Sequence, residues 1–108
     1  MIVKNESVKS KVAGEGIERK ILARGGNLML VEVHFKKGAV AAVHSHLHEQ
    51  VSYIVSGSFE VEIDGKREIL KAGDSCYVPS NVPHGVVALE DSVIIDIFTP
   101  QREDFLKE

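Results

Sequence analysis

Two separate segments of the chain supply residues that could bind one divalent metal ion. His44 and His46 stand two positions apart, Gln50 follows them, and His84 lies in a later segment. Imidazole nitrogen suits zinc, copper, iron and nickel, and an amide or carboxylate oxygen can complete such a site. Gln50 is the unusual member, because a carboxylate is more common at such a position. Three imidazoles and one amide would leave coordination positions open, as catalytic metal sites do.

Strand geometry supports this grouping of side chains. Successive residues of a strand point to opposite faces, so His44 and His46 should point the same way. Gln50 keeps that parity if the strand continues, whereas Glu49 has the opposite parity and should point away. His84 must come from another strand, and a barrel can bring that strand across.

The simpler interpretation is that these histidines lie on the surface or in the core without binding metal. An isolated His-x-His pair would favour it, but His84 with Pro79 ahead of it favours a metal site. His48 continues the alternation and could compete as a ligand, although a place in the turn, or a supporting place next to the ligands, fits it better. His34, beside Glu32 on a different strand, is expected to be hydrogen-bonded or exposed.

Many short strands separated by turns must position these residues. Residues 59–63 alternate strictly and are followed by Asp64-Gly65, a strong two-residue hairpin signal. The tail after Pro100 can form a single helical turn. The other β-rich runs are residues 28–35, 51–55, 67–70, 75–78, 84–89 and 92–98. No stretch has a sustained helical period, so the pattern predicts an all-β sandwich or barrel.

Length and composition bound the class of protein. The chain has 108 residues, of which 44% are hydrophobic and 27% charged, as in an ordinary globular domain. We expect a single domain over residues 1–108, with the barrel core at about 26–99 and a short tail at 100–108. A net charge of −3 and the lack of a basic stripe argue against a nucleic-acid partner.

Neither a membrane nor an oxidising compartment is expected. The apolar runs are too short to cross a membrane, and the first residues lack the apolar core of a signal peptide. Cys76 is the only cysteine, so no internal disulfide and no cysteine-based zinc site are expected. A cytoplasmic location fits these features. Cys76 should be a small core residue, since no adjacent base activates it.

The histidine segments match the two motifs of the cupin superfamily. The first motif, Gly-x5-His-x-His-x3,4-Glu-x6-Gly, is represented by Gly38, His44, His46, Gln50 and Gly57. The second, Gly-x5-Pro-x-Gly-x2-His-x3-Asn, is represented by Gly73, Pro79, Asn81, His84 and Ala88. Gln50 departs from the first motif, and Asn81 and Ala88 depart from the second. Asn81 can adopt the left-handed backbone of the missing glycine. The resemblance implies a double-stranded β-helix, or jelly-roll barrel.

A closer resemblance covers nearly the whole chain. It is carried by segments such as Lys37-Gly-Ala-Val, His48-Glu-Gln, Asn81-Val-Pro-His-Gly-Val-Val-Ala-Leu-Glu90 and Asp96-Ile-Phe-Thr-Pro-Gln-Arg-Glu-Asp-Phe-Leu106. These resemble the KdgF-type pectin-degradation cupins, in which the Gln ligand is the expected residue. Members linearise 4,5-unsaturated uronates from pectin or alginate to 5-keto-4-deoxyuronate. The resemblance implies a sugar-acid substrate, one divalent transition metal (Ni, Zn, Mn or Fe), and a homodimer, since cupins commonly pair through their sheets.

Residues 92–98 place a carboxylate in the middle of an apolar strand, which is costly unless it is paired or hydrogen-bonded. Asp96 could hold a neighbouring strand, or it could be an acid/base group facing the metal. The resemblance favours Asp96, Phe98 and Arg102 as active-site residues. Phe98 would form an apolar wall against the sugar, or simply pack in the core. Arg102 would bind the substrate carboxylate through its fork, or be a solvated tail residue.

The implied reaction needs a group that moves protons and a group that stabilises negative oxygen. Asp96 is the candidate for the first, and a Lewis-acidic metal for the second. A neutral ligand set with Gln50 leaves the charge of the ion uncompensated, which favours tautomerisation over the chemistry of a metal-dependent dioxygenase. That dioxygenase is the first alternative. A non-catalytic sugar- or effector-binding cupin and a purely structural metal are the others.

Overall fold

The computed structural model describes residues 1–108, and nearly all of its regular structure is strand. A short 3-10 helix at Asn5–Ser7 precedes the strands, and one α-helix, α1 (Glu103–Leu106), follows them. Neither helix has the length and apolar character needed to cross a membrane. The strands are β1 (Lys11–Gly14), β2 (Ile17–Gly25), β3 (Leu28–Phe35), β4 (Val40–His44), β5 (Glu49–Ser56), β6 (Ser58–Ile63), β7 (Lys66–Lys71), β8 (Ser75–Val78), β9 (His84–Ala88) and β10 (Ser92–Thr99).

The ten strands form two antiparallel sheets. The larger sheet has the order β1-β2-β3-β10-β5-β8, and the smaller has the order β4-β9-β6-β7. Strands distant in sequence, such as β3 and β10, lie side by side, which is the arrangement of a jelly-roll barrel and confirms the all-β expectation. The larger sheet begins at Lys11, earlier than the barrel start expected near residue 26, because β1 pairs with β2 and β2 pairs with β3.

The local turns follow the sequence pattern. Strands β6 and β7 are joined by Asp64 and Gly65, whose φ angles are 53° and 79°. Both values are left-handed, as a two-residue hairpin turn of type I′ requires. Asn81 has a φ of 64°, so it adopts the left-handed conformation expected of it. The helical turn expected after Pro100 is present as α1.

The core lies between the inner faces of the two sheets. Ile94 and Phe98 are buried on the inner face of β10, two strand periods apart. Ile54 and Phe59 have no exposed surface, and the rings of Phe59 and Phe35 meet edge to face with centroids 5.1 Å apart. The same inner faces carry the polar side chains of the site, so the core positions them.

Phe59→Ala is expected to lower the free energy of unfolding by about 3–5 kcal/mol, because it leaves a cavity in the centre of the core. Urea denaturation followed by circular dichroism measures the change. Val12→Ala is the matched control, since Val12 is 77% exposed on β1. That control should change stability by no more than about 0.5 kcal/mol. Equal effects of the two substitutions would contradict the placement of Phe59.

Candidate metal centre and active site

A one-residue bulge between β4 and β9 brings two histidines together. Ala41 pairs with Val86, and the next paired residues are His44 and His84, so β4 contains one residue more than β9 over this stretch. The rings of His44 and His84 consequently lie close, with centroids 4.6 Å apart. Gly85 permits this approach, because a Cβ there would come within 2.8 Å of the Ala41 carbonyl oxygen.

His46 reaches the same point from outside a strand. Strand β4 ends at His44 and β5 begins at Glu49, so the continuous strand expected through Gln50 is interrupted. The His46 ring nevertheless lies 4.7 Å from the His84 ring and 5.6 Å from the His44 ring, centroid to centroid. One nitrogen from each imidazole lies within 4.8 Å of the others, a spacing that could hold one metal ion.

Backbone carbonyl groups determine which nitrogen of each ring faces its neighbours. The Nδ1 atoms of His44, His46 and His84 lie 2.8, 2.9 and 2.9 Å from carbonyl oxygens of residues two positions away. A carbonyl oxygen only accepts, so each Nδ1 carries the proton and each Nε2 presents a lone pair. Metal-binding histidines are commonly oriented in this way. Burial lowers the pKa of His46 and of His84, which favours the neutral rings that bind metals.

The Gln50 side chain adds an oxygen to this group. Its buried Nε2 donates to Ser52 Oγ at 2.9 Å and to Asp96 Oδ1 at 3.3 Å, so its Oε1 faces His46. Gln50 Oε1 lies 3.1 Å from His46 Nε2, and both atoms are acceptors. Two acceptors at this distance repel unless a proton or a cation lies between them. A metal ion bound by both atoms would remove this repulsion.

Asp96 lies beside this group, in a cavity of about 330 Å³. Its Oδ1 accepts a hydrogen bond of 2.6 Å from Ser52 Oγ, across the pairing of β10 with β5. Burial raises the pKa of Asp96 to about 6, although the Ser52 hydrogen bond and the positive charge of Arg102 oppose the shift. A carboxylate with such a pKa in a cavity suits acid/base chemistry. The hydrogen bonds of Asp96 to Ser52 and Gln50 also link β10 to β5, so they are equally consistent with a role of Asp96 in holding the two strands together.

Phe98 and Arg102 also line the cavity, and both are buried. Phe98 belongs to the core cluster, and its ring lies 5.8 Å from the ring of His46, centroid to centroid. Arg102 is only 9% exposed, so it is not a solvated tail residue. Its guanidinium donates to both carboxylate oxygens of Asp104, at 3.0 and 2.8 Å, and lies 4.0 Å from the ring centroid of Phe105. The tail therefore orients the guanidinium of Arg102.

Four further residues lie outside this group. His34 is exposed, and its Nε2 contacts Glu32 Oε1 at 2.7 Å. Tyr53 and Tyr77 are exposed and do not line the cavity. His48 is not one of the three clustered histidines, but its carbonyl oxygen accepts the hydrogen bond that orients the neighbouring imidazole.

Glu49 and Cys76 behave as the sequence indicated. Glu49 points away from the histidines and accepts a hydrogen bond of 2.5 Å from the hydroxyl of Tyr77. Cys76 packs against the core, and burial raises the pKa of its thiol. A raised pKa disfavours the thiolate, so Cys76 is not set up as a nucleophile.

Three further residues shape the site without having been singled out in the sequence. Ser52 links Gln50 to Asp96, and Gly85 allows two strands to approach closely. Arg19, from β2, lines the cavity and lies 3.7 Å from the ring centroid of Phe105. Only Ser52 carried a usable signal, because it stands two residues after Gln50 and so shares its face of the strand.

Comparison with known proteins agrees with this fold and this group of residues. The family model described as the cupin domain matches residues 31–98, a range that includes all four candidate metal-binding residues. The chain belongs to the cupin family.

The relatives within that family are more specific. Pectin degradation protein KdgF from Dickeya dadantii is 52% identical over 95 residues, which cover 86% of this chain and 86% of the relative. The structure of KdgF from Halomonas sp. has a TM-score of 0.93 and 42% identity, with 97% of each chain covered. An RmlC-like cupin from Shewanella frigidimarina has a TM-score of 0.93 and 43% identity, covering 96% of this chain and 94% of that one. The resemblance to the KdgF-type cupins is thereby confirmed.

Proposed function

We propose that this cupin opens the ring of 4,5-unsaturated uronates, such as those released from pectin or alginate, to give linear 5-keto-4-deoxyuronate. Its 52% identity to a protein named for pectin degradation supports the substrate class. One observation carries the proposal: the carboxylate of Asp96 is hydrogen-bonded to an amide, Gln50, whose oxygen faces the histidine cluster. A proton-transfer group beside a candidate metal centre, in one cavity, suits this reaction.

Asp96 is the group proposed to move protons. Ring opening removes the proton of the hemiacetal hydroxyl, breaks the bond between C1 and the ring oxygen, leaves an enolate at C5 and adds a proton at C4. Both hydrogen bonds to Asp96 use Oδ1, which leaves Oδ2 to hold the transferred proton. One carboxyl group can serve both steps, because the proton taken from the hydroxyl can be delivered to C4.

The proposed ligands for one divalent Ni, Zn, Mn or Fe ion are His44, His46, Gln50 and His84. The ion would supply Lewis acidity where negative charge develops on oxygen. All four side chains are neutral donors, so they do not cancel the charge of the ion they hold. The absence of a negatively charged ligand favours tautomerisation of the sugar over a reaction with molecular oxygen.

Arg102 and Phe98 are proposed to hold the sugar. Asp104 engages Nε and Nη2 of Arg102, which leaves Nη1 for the carboxylate of the substrate. The face of Phe98 that lines the cavity offers apolar surface to the sugar ring.

Arg102→Gln is expected to raise KM and lower kcat/KM by about 10- to 100-fold, because a charged hydrogen bond to the substrate carboxylate contributes about 1.5–3 kcal/mol. Initial rates over a range of uronate concentrations measure this effect. Arg24→Gln is the control, because Arg24 is exposed and its guanidinium hydrogen-bonds to the side chain of Gln101, away from the cavity. An unchanged KM in a folded Arg102→Gln variant would remove Arg102 from carboxylate binding.

Experiment can distinguish the proposed ring-opening enzyme from two alternative functions. A cupin dioxygenase would consume oxygen during turnover, and a sugar-binding cupin would bind uronate without converting it. We expect unsaturated galacturonate to lose its ring double bond in proton NMR spectra without oxygen uptake at an electrode. Oxygen uptake that matches turnover would support the dioxygenase instead.

A homodimer is proposed to form through the outer face of the larger sheet. Apolar and aromatic side chains on this face are 39% to 51% exposed, namely Val51, Tyr53, Val55, Tyr77 and Ile97. Contiguous exposed apolar surface of this kind marks interaction sites. Sedimentation should give twice the chain mass of 11.8 kDa, and a mass of one chain would contradict the dimer.

We also propose a cytoplasmic location. The single cysteine, Cys76, is a free thiol, as is usual for proteins of a reducing compartment.

A further inference from the structure

Ser52 occupies a central place between the candidate metal ligand Gln50 and the candidate acid/base group Asp96. It lies on the inner face of β5, is only 2% exposed, and pairs with Asp96 across the strands. Its hydroxyl contacts Gln50 Nε2 at 2.9 Å and Asp96 Oδ1 at 2.6 Å. No part of the proposed reaction uses this hydroxyl directly.

The single proton of the Ser52 hydroxyl gives the hydrogen-bond chain a direction. A hydroxyl donates only once, and here it donates to the carboxylate of Asp96. It can therefore only accept from Gln50, which requires the NH₂ group of the amide to face Ser52. The amide oxygen is then left facing His46, at 3.1 Å from its Nε2. If Ser52 bonded the amide oxygen instead, the NH₂ group would face the histidines and could not bind a cation.

We propose that Ser52 is a positioning residue that holds the Gln50 amide with its oxygen toward the metal and fixes the carboxylate of Asp96 beside it. This inference rests on the proposed ligand set. Groups that orient metal ligands through hydrogen bonds typically affect metal affinity or activity by about 10- to 100-fold. Ser52 thus couples the geometry of the metal centre to that of the proton-transfer group.

The test compares Ser52→Ala, Ser52→Cys and Ser52→Thr. The first removes the hydroxyl, the second keeps the side-chain size with a poor donor, and the third keeps the hydroxyl. Ser92→Ala is the matched control, because Ser92 is another buried serine, 3% exposed, whose hydroxyl bonds only to backbone groups away from the site. Calorimetric titration of metal-free protein with Co²⁺ gives the affinity, and the visible spectrum of bound Co²⁺ reports the ligand geometry.

Ser52→Ala should bind Co²⁺ about 10- to 100-fold more weakly and change its spectrum, with Ser52→Cys intermediate. Ser52→Thr and Ser92→Ala should keep the affinity and spectrum of the wild type. If Ser52→Ala does not fold, Ser52→Cys carries the test. Wild-type affinity and spectrum in the folded variants that lack the hydroxyl would overturn the positioning role. Neither readout uses sugar, so wild-type protein that binds Co²⁺ but does not open uronate rings would sink only the proposed function.

Discussion

Asp96→Asn is expected to lower the rate of uronate ring opening by about 10²- to 10⁴-fold, the usual contribution of a positioned acid/base group. An amide cannot take up the hydroxyl proton or deliver one to C4. It still offers an oxygen to the hydroxyl of Ser52, which donates at 2.6 Å to the native carboxylate. The substitution should therefore remove proton transfer and leave the fold in place.

The measurement is kcat for unsaturated galacturonate, by proton NMR, with the melting temperature of each variant beside it. Asp64→Asn is the control, because Asp64 is exposed in the hairpin turn and its φ of 53° is one that asparagine tolerates. Wild-type turnover by Asp96→Asn would take Asp96 out of the proton-transfer role and leave the strand-holding interpretation.

His84→Ala is expected to weaken divalent-metal binding by more than about 100-fold, beyond the effect of losing a residue that merely orients a ligand. His84 is 6% exposed and is the one clustered histidine that comes from β9. Ring-opening activity should fall with metal content, because the remaining residues supply no other Lewis acid.

Calorimetric titration with Ni²⁺ and metal analysis of the purified protein measure this loss. The matched control is His34→Ala, because the His34 ring is exposed and bonds only to Glu32, away from the cavity. Metal binding by folded His84→Ala at the level of His34→Ala would contradict the proposed ligand set.

Local sequence signals were enough for the parts of the fold that depend on local chemistry. The Asp64-Gly65 turn and the left-handed Asn81 follow from the backbone preferences of those residues. The pairing of β1 and β2 with the larger sheet was not foreseen, because that pairing depends on tertiary contacts rather than on residue type.

The candidate site also has parts that the sequence predicts and parts that depend on tertiary contacts. The spacing of His44, His46 and His84 indicated a cluster, and the structure brings their rings together. Parity alone did not describe how, since the chain leaves the strand after His44 and a bulge aligns His44 with His84. Arg102 is buried because the tail folds back onto the barrel, where the ring centroid of Phe105 lies 3.7 Å from the guanidinium carbon of Arg19 on β2. Contacts of this kind join parts of the chain that are far apart in sequence, so the pattern of apolar residues does not reveal them.

The most direct test of the account is the rate of ring opening by the metal-loaded wild-type protein. Unsaturated galacturonate is mixed with protein that has been stripped of metal and then reloaded, and the vinylic proton at C4 is followed by NMR. We expect the reloaded protein to remove this signal much faster than the spontaneous reaction does, with the stripped protein close to the spontaneous rate. A reloaded protein that is no faster than buffer alone would contradict the proposal that this cupin linearises unsaturated uronates.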